Sequence, residues 1–338
     1  MKLSAELIKA AAWGAASVCE ENGGVGFRRF TEEEERVYRE LHSQHEVKLR
    51  ASSGIRLVFR TDSPTLKLKV DFSEGSSRAY YSLDVAVNGA YIGSIDNFSG
   101  VEMIPDYTKV ELPMGRREAE FPLGEGEKTV MLCLPWSART LIEEISLADG
   151  SFAEPVHREK KLLAYGDSIT QGYDALRSCK RYAALLADSL QAEESNKAIG
   201  GEVFFPELAA ADAGIDPDYI SVAYGTNDWG AVTKEEFEEN CERFYRILSE
   251  KYPAAKIFAL TPIWRKDIPN FPERRPFHLV ADYIRKVTAD LPNVTVIEGF
   301  DFVPKDESYF ADLRLHPNDK GFAEYAKHLC EAIDAQME

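Results

Sequence analysis

An α/β fold, in which a β-sandwich precedes a unit built on a parallel sheet, is what these 338 residues predict. Two patterns carry that expectation. From about Trp13 to Ser146 apolar residues recur with a period near two, the mark of half-buried strands. From about Pro155 onward short apolar runs alternate with helical segments, as in chains that wind strand, helix, strand. The length adds a third argument: one core supports roughly 100–200 residues, so two domains are expected, over 1–154 and 155–338.

The first element is an apolar run in MKLSAELIKAAAWGAASVCEENGG, which Glu6 and Lys9 interrupt and which is too short to cross a bilayer. It lacks the basic start, clean apolar segment and cleavage site of a signal peptide, so the chain reads as cytoplasmic. Asn22-Gly23-Gly24 then marks a turn. Thr31 followed by Glu34 fits a capping box for the helix TEEEERVYREL, whose Val37, Tyr38 and Leu41 would face the sheet. Strands follow at Leu57 and Phe59, at Leu66, Leu68 and Val70, at Leu83, Val85 and Val87, and at Val130, Leu132 and Leu134. Asn88-Gly89 supplies a hairpin turn among them. Short alternating strands with turns between them predict a sandwich of jelly-roll type. ADGSFAEPVHREK reads as the linker.

Beyond it, LLAYG, SNKAIG, YISVAYG, KIFALTP and VTVIEG read as five strands. Helices are expected in RYAALLADSLQ, KEEFEENCERFYRILSEKY, HLVADYIRKVTADL and GFAEYAKHLCEAIDAQ. Five strands so connected make a parallel sheet of flavodoxin-like type with helices on both faces.

Composition narrows the partners. With 44% hydrophobic and 29% charged residues the chain is ordinary globular material. A formal charge of −17 repels phosphate, which argues against nucleic acid and anionic membranes and for a small neutral substrate. The five cysteines are scattered, with no CxxC pair to hold zinc or run redox chemistry. His42, His45, His157, His278 and His328 fall on helices or linkers and suggest no cluster of ligands, so neither a metal nor another cofactor is expected.

In open α/β sheets ligands bind outside the carboxyl ends of the strands. Chemistry-bearing residues stand there three times: Gly166-Asp167-Ser168, Gly200-Gly201, and Gly225-Thr226-Asn227-Asp228. His316, in LRLHPNDKGF, precedes the last helix, where a loop can bring it to the same edge. Singly each has a plain structural explanation, since a serine after a strand often caps a helix and HPN suits a helix start. Together they supply a hydroxyl, an imidazole, a backbone N–H freed by glycine and an amide, the set acyl transfer requires. Thr170 stands where a GxSxG elbow needs glycine, which disfavours an ordinary α/β-hydrolase site.

The blocks GDSIT, NKAIGG, GTND and HPND resemble, in order, those of the SGNH hydrolase superfamily, also called the GDSL esterase/lipase family, over roughly residues 160–335. SLDVAVNG, FRTDSP and TPIWR are similar to a two-domain group that includes carbohydrate deacetylases with an N-terminal jelly roll. By that resemblance Ser168 is the nucleophile and His316 its general base. The Ser168 and Gly201 backbone N–H groups and the Asn227 side chain form the oxyanion hole, and Asp167 ties the turn. Gly201 is preferred to Gly200 because it closes the NxxxxG spacing from Asn196.

One departure bears on mechanism. The superfamily places its acid three residues before the histidine, where this chain has Leu313. Asp312, one residue further back, reaches His316 only if the loop absorbs the extra residue. The alternative is a Ser-His dyad whose histidine is oriented by a backbone carbonyl. The segment IWRKDIPNFPERRPF is long for a connection between strand and helix, so Trp264 and Arg265, with Trp229 after GTND, are candidates to contact substrate. Packing of each tryptophan onto the sheet, and pairing of Arg265 with Asp267, stand as the plain explanations. No long apolar lid stands out, which favours small acyl groups. The expected activity is therefore a serine esterase acting on small acyl, especially acetyl, esters of a carbohydrate. A lysophospholipase or thioesterase on longer chains, or a non-catalytic carbohydrate-binding protein, are the alternatives. A homo-oligomer is open.

Overall fold

The computed structural model describes residues 1–103, 107 and 110–337. Its first part contains α1 (Ala5–Ala10), β1 (Ala12–Trp13), β2 (Ser17–Glu21), β3 (Gly24–Arg28), α2 (Glu32–Leu41), α3 (Glu46–Leu49), β4 (Arg56–Thr61) and β5 (Thr65–Glu74). It continues with β6 (Ser82–Val87), β7 (Ala90–Asp96), β8 (Gly115–Pro122), β9 (Lys128–Cys133), β10 (Ala138–Leu147) and β11 (Glu154–Pro155). Two antiparallel sheets result, one in the order β1-β4-β9-β6-β7 with β11 on β4, the other in the order β2-β3-β10-β5-β8. β5 shows why they face each other: Leu66, Leu68, Val70 and Phe72 are buried while Thr65, Lys67, Lys69 and Asp71 between them stay half-exposed. Those four side chains pack with Leu57, Phe59, Leu83, Val85, Val130 and Leu132 into the core between the sheets. Each contributes about 1.5–3 kcal/mol by leaving water. The turn at Asn88-Gly89 joins β6 to β7 with φ of 49° and 81°, the positive pair that a two-residue hairpin of this twist requires.

The second part runs β12 (Lys160–Gly166), α4 (Ser168–Gln171), α5 (Tyr182–Ser189), β13 (Ala192–Asn196), α6 (Pro206–Ala210), β14 (Tyr219–Ala223), α7 (Asp228–Ala231) and α8 (Lys234–Lys251). After these come β15 (Lys256–Leu260), α9 (His278–Thr288), β16 (Val294–Ile297) and α10 (Asp319–Met337). All five strands are parallel, in the order β13-β12-β14-β15-β16, the doubly wound arrangement the alternating pattern predicts. Phe244, Leu248, Val280 and Ile284 from α8 and α9 cover one face. Tyr182, Leu186, Phe322 and Leu329 from α5 and α10 cover the other.

Three sequence expectations change in detail. The second parallel strand is AEESN, ending at Asn196, so Lys197–Gly201 is loop. Its weak apolar signal has a cause: Glu194 is buried against Arg181 in a bidentate pair at 2.8 and 3.0 Å, so a charged residue holds a core position. The linker is structured, because Glu154 and Pro155 add β11 to the sandwich edge. The helix α2 has the capping box, with Glu34 accepting from Thr31 N–H at 2.8 Å and Thr31 Oγ1 accepting from Glu34 N–H at 3.2 Å. Yet it turns its buried Tyr38 onto Phe205, 5.3 Å between ring centroids, in the core of the parallel-sheet part, while Leu41 is 55% exposed.

Buried polar groups strap the two parts together. Arg29, buried after β3, donates to Ala51 O at 2.7 Å, Lys48 O at 3.0 Å, Asn196 O at 2.9 Å and Ala198 O at 3.0 Å. Lys197 Nζ donates to Glu34 Oε2 at 2.6 Å and Arg29 O at 2.7 Å. The loop after the second parallel strand is thus held from the sandwich side.

Candidate active site

The carboxyl edge of the parallel sheet collects the predicted residues. β12 ends at Gly166, and Asp167 caps the short helix α4 by accepting from Ile169 N–H at 2.9 Å. Burial pushes the Asp167 carboxyl up to about 6, against the pull of that N–H and of His316. Ser168 is thereby the first residue of α4. Its N–H, and that of Gly201, find no acceptor among the described residues. Gly201 adopts φ of +88°, a conformation that favours glycine, whereas Gly200 N–H is taken by Gln171 Oε1 at 2.8 Å. Asn227 Nδ2 donates to Glu202 O at 2.9 Å, which fixes the amide and leaves its second N–H free. Asp228 accepts from Phe204 N–H and Gly225 N–H, both at 3.0 Å, and so shapes the GTND turn.

His316, 148 residues beyond Ser168, places Nε2 2.8 Å from Ser168 Oγ. Its Nδ1 lies 2.9 Å from Asp312 Oδ2. The extra residue is absorbed locally, since Leu313 adopts φ of +60° and Ala311 N–H bonds back to His316 O at 2.8 Å. Asp312 Oδ1 accepts three backbone N–H groups, from Arg314 at 3.1 Å, Leu315 at 2.8 Å and His316 at 3.0 Å, leaving Oδ2 for the imidazole. Burial pushes this carboxyl upward, but the hydrogen bond and charge of His316 and the Leu315 and His316 N–H groups outweigh it. They hold Asp312 well below the usual carboxylate range.

The side chains expected to meet substrate are placed differently. Trp229 is 2% exposed and its Nε1 donates to Arg275 O at 2.6 Å, so the expectation that it contacts substrate is corrected: it packs under the loop against Phe271 and Phe277. Arg265 is likewise buried and paired with Asp267, and its Nη1 donates to Thr226 O at 3.1 Å. It braces the GTND turn and, through the Asp267–Arg314 pair at 3.3 Å, the loop bearing Asp312. Trp264 remains half-exposed, its ring 5.6 Å from that of Phe310 at the base of the His316 loop.

Other functional candidates escaped the sequence reading. Asp174, 0% exposed, places Oδ2 3.3 Å from His316 Nδ1. Beside Gly201 stands a group where the sequence suggested no cluster of ligands: His42, His45 and Glu202 offer ligand atoms within 4.8 Å of one another. His42 Nδ1 is hydrogen-bonded to Glu202 at 3.1 Å, a contact that raises its basicity despite burial. Lys48 Nζ lies 3.3 Å from His45 Nδ1 and donates to Gly200 O. Burial, joined by the nearby Lys48 and His42, pushes His45 down to about 4 although Glu202 opposes it. A fixed ammonium inside the cluster disfavours a metal cation there. The spacing of some 160 residues between His42 and Glu202 gives no local signal for it.

A nucleophile turn, an imidazole on its hydroxyl and unpaired donors at the carboxyl edge of a flavodoxin-like sheet define an SGNH-type ester hydrolase. The model of the GDSL-like lipase/acylhydrolase family matches residues 164–323. No curated protein matches the chain. Among solved structures it is similar to the salicylyl-acyltransferase SsfX3 from a tetracycline biosynthetic pathway, at 20% identity and a TM-score of 0.76, covering 96% of this chain and 94% of that one. A GDSL-like lipase structure from Bacteroides ovatus matches at 20% identity and 0.76, covering 100% and 98%. A family two carbohydrate esterase from Clostridium thermocellum, solved with cellohexaose, matches at 16% identity and 0.67, covering 96% and 98%. At these identities the likeness is one of fold, and it extends over both parts of the chain. Among the described residues no helix is long and apolar enough to cross a membrane.

Proposed function

We propose that the chain hydrolyses small acyl esters, acetyl esters of a carbohydrate foremost, through an acyl-enzyme on Ser168. The observation that carries the reading is the 2.8 Å contact between Ser168 Oγ and His316 Nε2 beside two unpaired backbone N–H groups. His316 takes the hydroxyl proton as Ser168 attacks the ester carbonyl. The developing oxyanion is met by the N–H groups of Ser168 and Gly201 and by the free N–H of Asn227. The imidazolium, oriented through Nδ1 by Asp312, protonates the leaving alcohol, and a water activated by the same histidine then releases the acid. Asp312 thus serves as the third member, and its three backbone contacts support that role over a dyad.

The carbohydrate half of the proposal draws on the neighbours, which include the cellohexaose complex and an acetyl xylan esterase from the rumen bacterium Butyrivibrio proteoclasticus. Trp264, half-exposed beside the histidine loop, suits a sugar face. The five free thiols suit a reducing, cytoplasmic compartment. Rates on p-nitrophenyl esters of increasing chain length, for wild type and Ser168→Ala, test the reading. Activity that peaks at acetate and vanishes with Ser168 supports it. A maximum at a long chain favours a lipase-like enzyme, and no serine-dependent rate leaves a binding protein.

A further inference from the structure

His316 faces two carboxylates through one nitrogen: Nδ1 is 2.9 Å from Asp312 Oδ2 and 3.3 Å from Asp174 Oδ2. The resemblance, whose acid position falls on Leu313 beside Asp312, says nothing of Asp174. Asp174 lies six residues after the nucleophile with φ of +72°, and this strained backbone persists because its surroundings fix it. Its carboxylate accepts from Arg78 Nε at 2.7 Å, Arg78 Nη2 at 3.1 Å and the Tyr80 hydroxyl. Its carbonyl accepts from the Tyr107 hydroxyl at 2.6 Å. Arg78 and Tyr80 come from the segment leading into β6, so the sandwich part of the chain reaches the catalytic imidazole through Asp174.

We propose that Asp174 is a second positioning carboxylate for His316, and that Arg78 of the sandwich sets how much of its charge the imidazole feels. The inference rests on the serine-esterase reading above. Nδ1 carries one proton, and the shorter contact gives that hydrogen bond to Asp312. Asp174 then acts through its charge, favouring the imidazolium formed as Ser168 attacks, while the guanidinium on its far side opposes that effect. The other groups near the ring are the Ser168 hydroxyl, the Tyr173 ring at 5.8 Å, the Asp167 carboxyl and Arg314, whose Nε is 3.7 Å from Asp312 Oδ2. The arrangement also bears on Asp312. A sole triad carboxylate costs about 10⁴ in turnover when replaced by its amide, whereas a second carboxylate at the same nitrogen retains part of that rate.

The pH dependence of kcat/KM on p-nitrophenyl acetate tests this in wild type, Asp174→Asn, Arg78→Met, Arg78→Lys, Asp312→Asn, Asp312→Asn/Asp174→Asn and Ser168→Ala. The acid limb reports protonation of the general base. Asp174→Asn should move it to lower pH and Arg78→Met to higher pH, opposite shifts of at least about half a unit that a merely structural role does not produce. Arg78→Lys should restore the wild-type limb in part. Asp312→Asn should lose on the order of 10²-fold and the double variant about 10⁴. An unmoved limb in Arg78→Met, or an Asp312→Asn rate already as low as that of the double variant, overturns the proposal. Should Asp174→Asn fail to fold, the two Arg78 variants decide it, because they leave the carboxylate in place. Serine-independent activity in Ser168→Ala would instead overturn the esterase reading itself.

Discussion

Removing the Asn227 side chain tests the oxyanion hole where the structure is most specific. One N–H of Nδ2 is committed to Glu202 O at 2.9 Å, so the amide plane is fixed and the second N–H can point at the substrate without reorganising. With the Ser168 and Gly201 N–H groups it makes three donors, and loss of one such donor costs about 2.7–4 kcal/mol of transition-state stabilisation. Asn227→Ala should therefore lower kcat by about 10²–10³. KM should hold within about threefold, because the ground-state carbonyl gains little from the same donor. The broken contact to Glu202 O costs a further ~0.5–1.5 kcal/mol of stability, separable as a small drop in melting temperature. Steady-state kinetics on p-nitrophenyl acetate give both parameters. A kcat within threefold of wild type, or a loss confined to KM, refutes the assignment of this amide to the oxyanion.

Three further outcomes follow from the packing. Lys197 and Glu34 are both buried, and burial shifts Glu34 upward and Lys197 downward by more than their attraction recovers. Lys197→Met should thus cost about 3–5 kcal/mol in a urea titration, and Glu34→Gln/Lys197→Met should regain most of it; a single variant within about 1 kcal/mol of wild type contradicts the reasoning. Burial pushes Asp228 up to about 7, so its proton is held more tightly in the fold than in the unfolded chain. That contribution is complete below the unfolded value of about 3.9 and is lost as pH rises through about 7. The melting temperature should fall between pH 5 and pH 8, and less steeply in Asp228→Asn; equal slopes would refute the assignment. Leu313→Gly should keep kcat and raise stability by up to about 1 kcal/mol, since leucine at φ of +60° is strained, while a loss of activity would mean that the leucine side chain itself holds the loop.

What the sequence made legible was what local pattern encodes. Period-two runs such as Leu66, Leu68 and Val70 located the sandwich strands, and the strand–helix alternation located the parallel sheet. Residues that follow a strand directly, such as Ser168 and Asn227, inherit their place at the sheet edge from that topology. Long-range charge pairing was not legible. Glu194 broke the apolar signal of its strand because Arg181 neutralises it, and whereas the pairing of Arg265 with Asp267 was open to the sequence, its anchor on Thr226 O depends on how the loop folds back. Trp229 follows GTND yet points into the core, since chain position does not fix side-chain direction. Asp174 and Arg78, and the His42, His45, Lys48 and Glu202 group, join segments of the two parts. A propensity or motif has no term for such contacts.

The account turns on Ser168 being the group that attacks. Incubation with a fluorophosphonate, followed by peptide mass spectrometry, reads this directly. The account predicts one phosphonyl group, on the peptide bearing Ser168, with loss of esterase activity in proportion to labelling and no labelling in Ser168→Ala or His316→Ala. Full esterase activity with Ser168 unlabelled, or labelling confined to another residue, would contradict it.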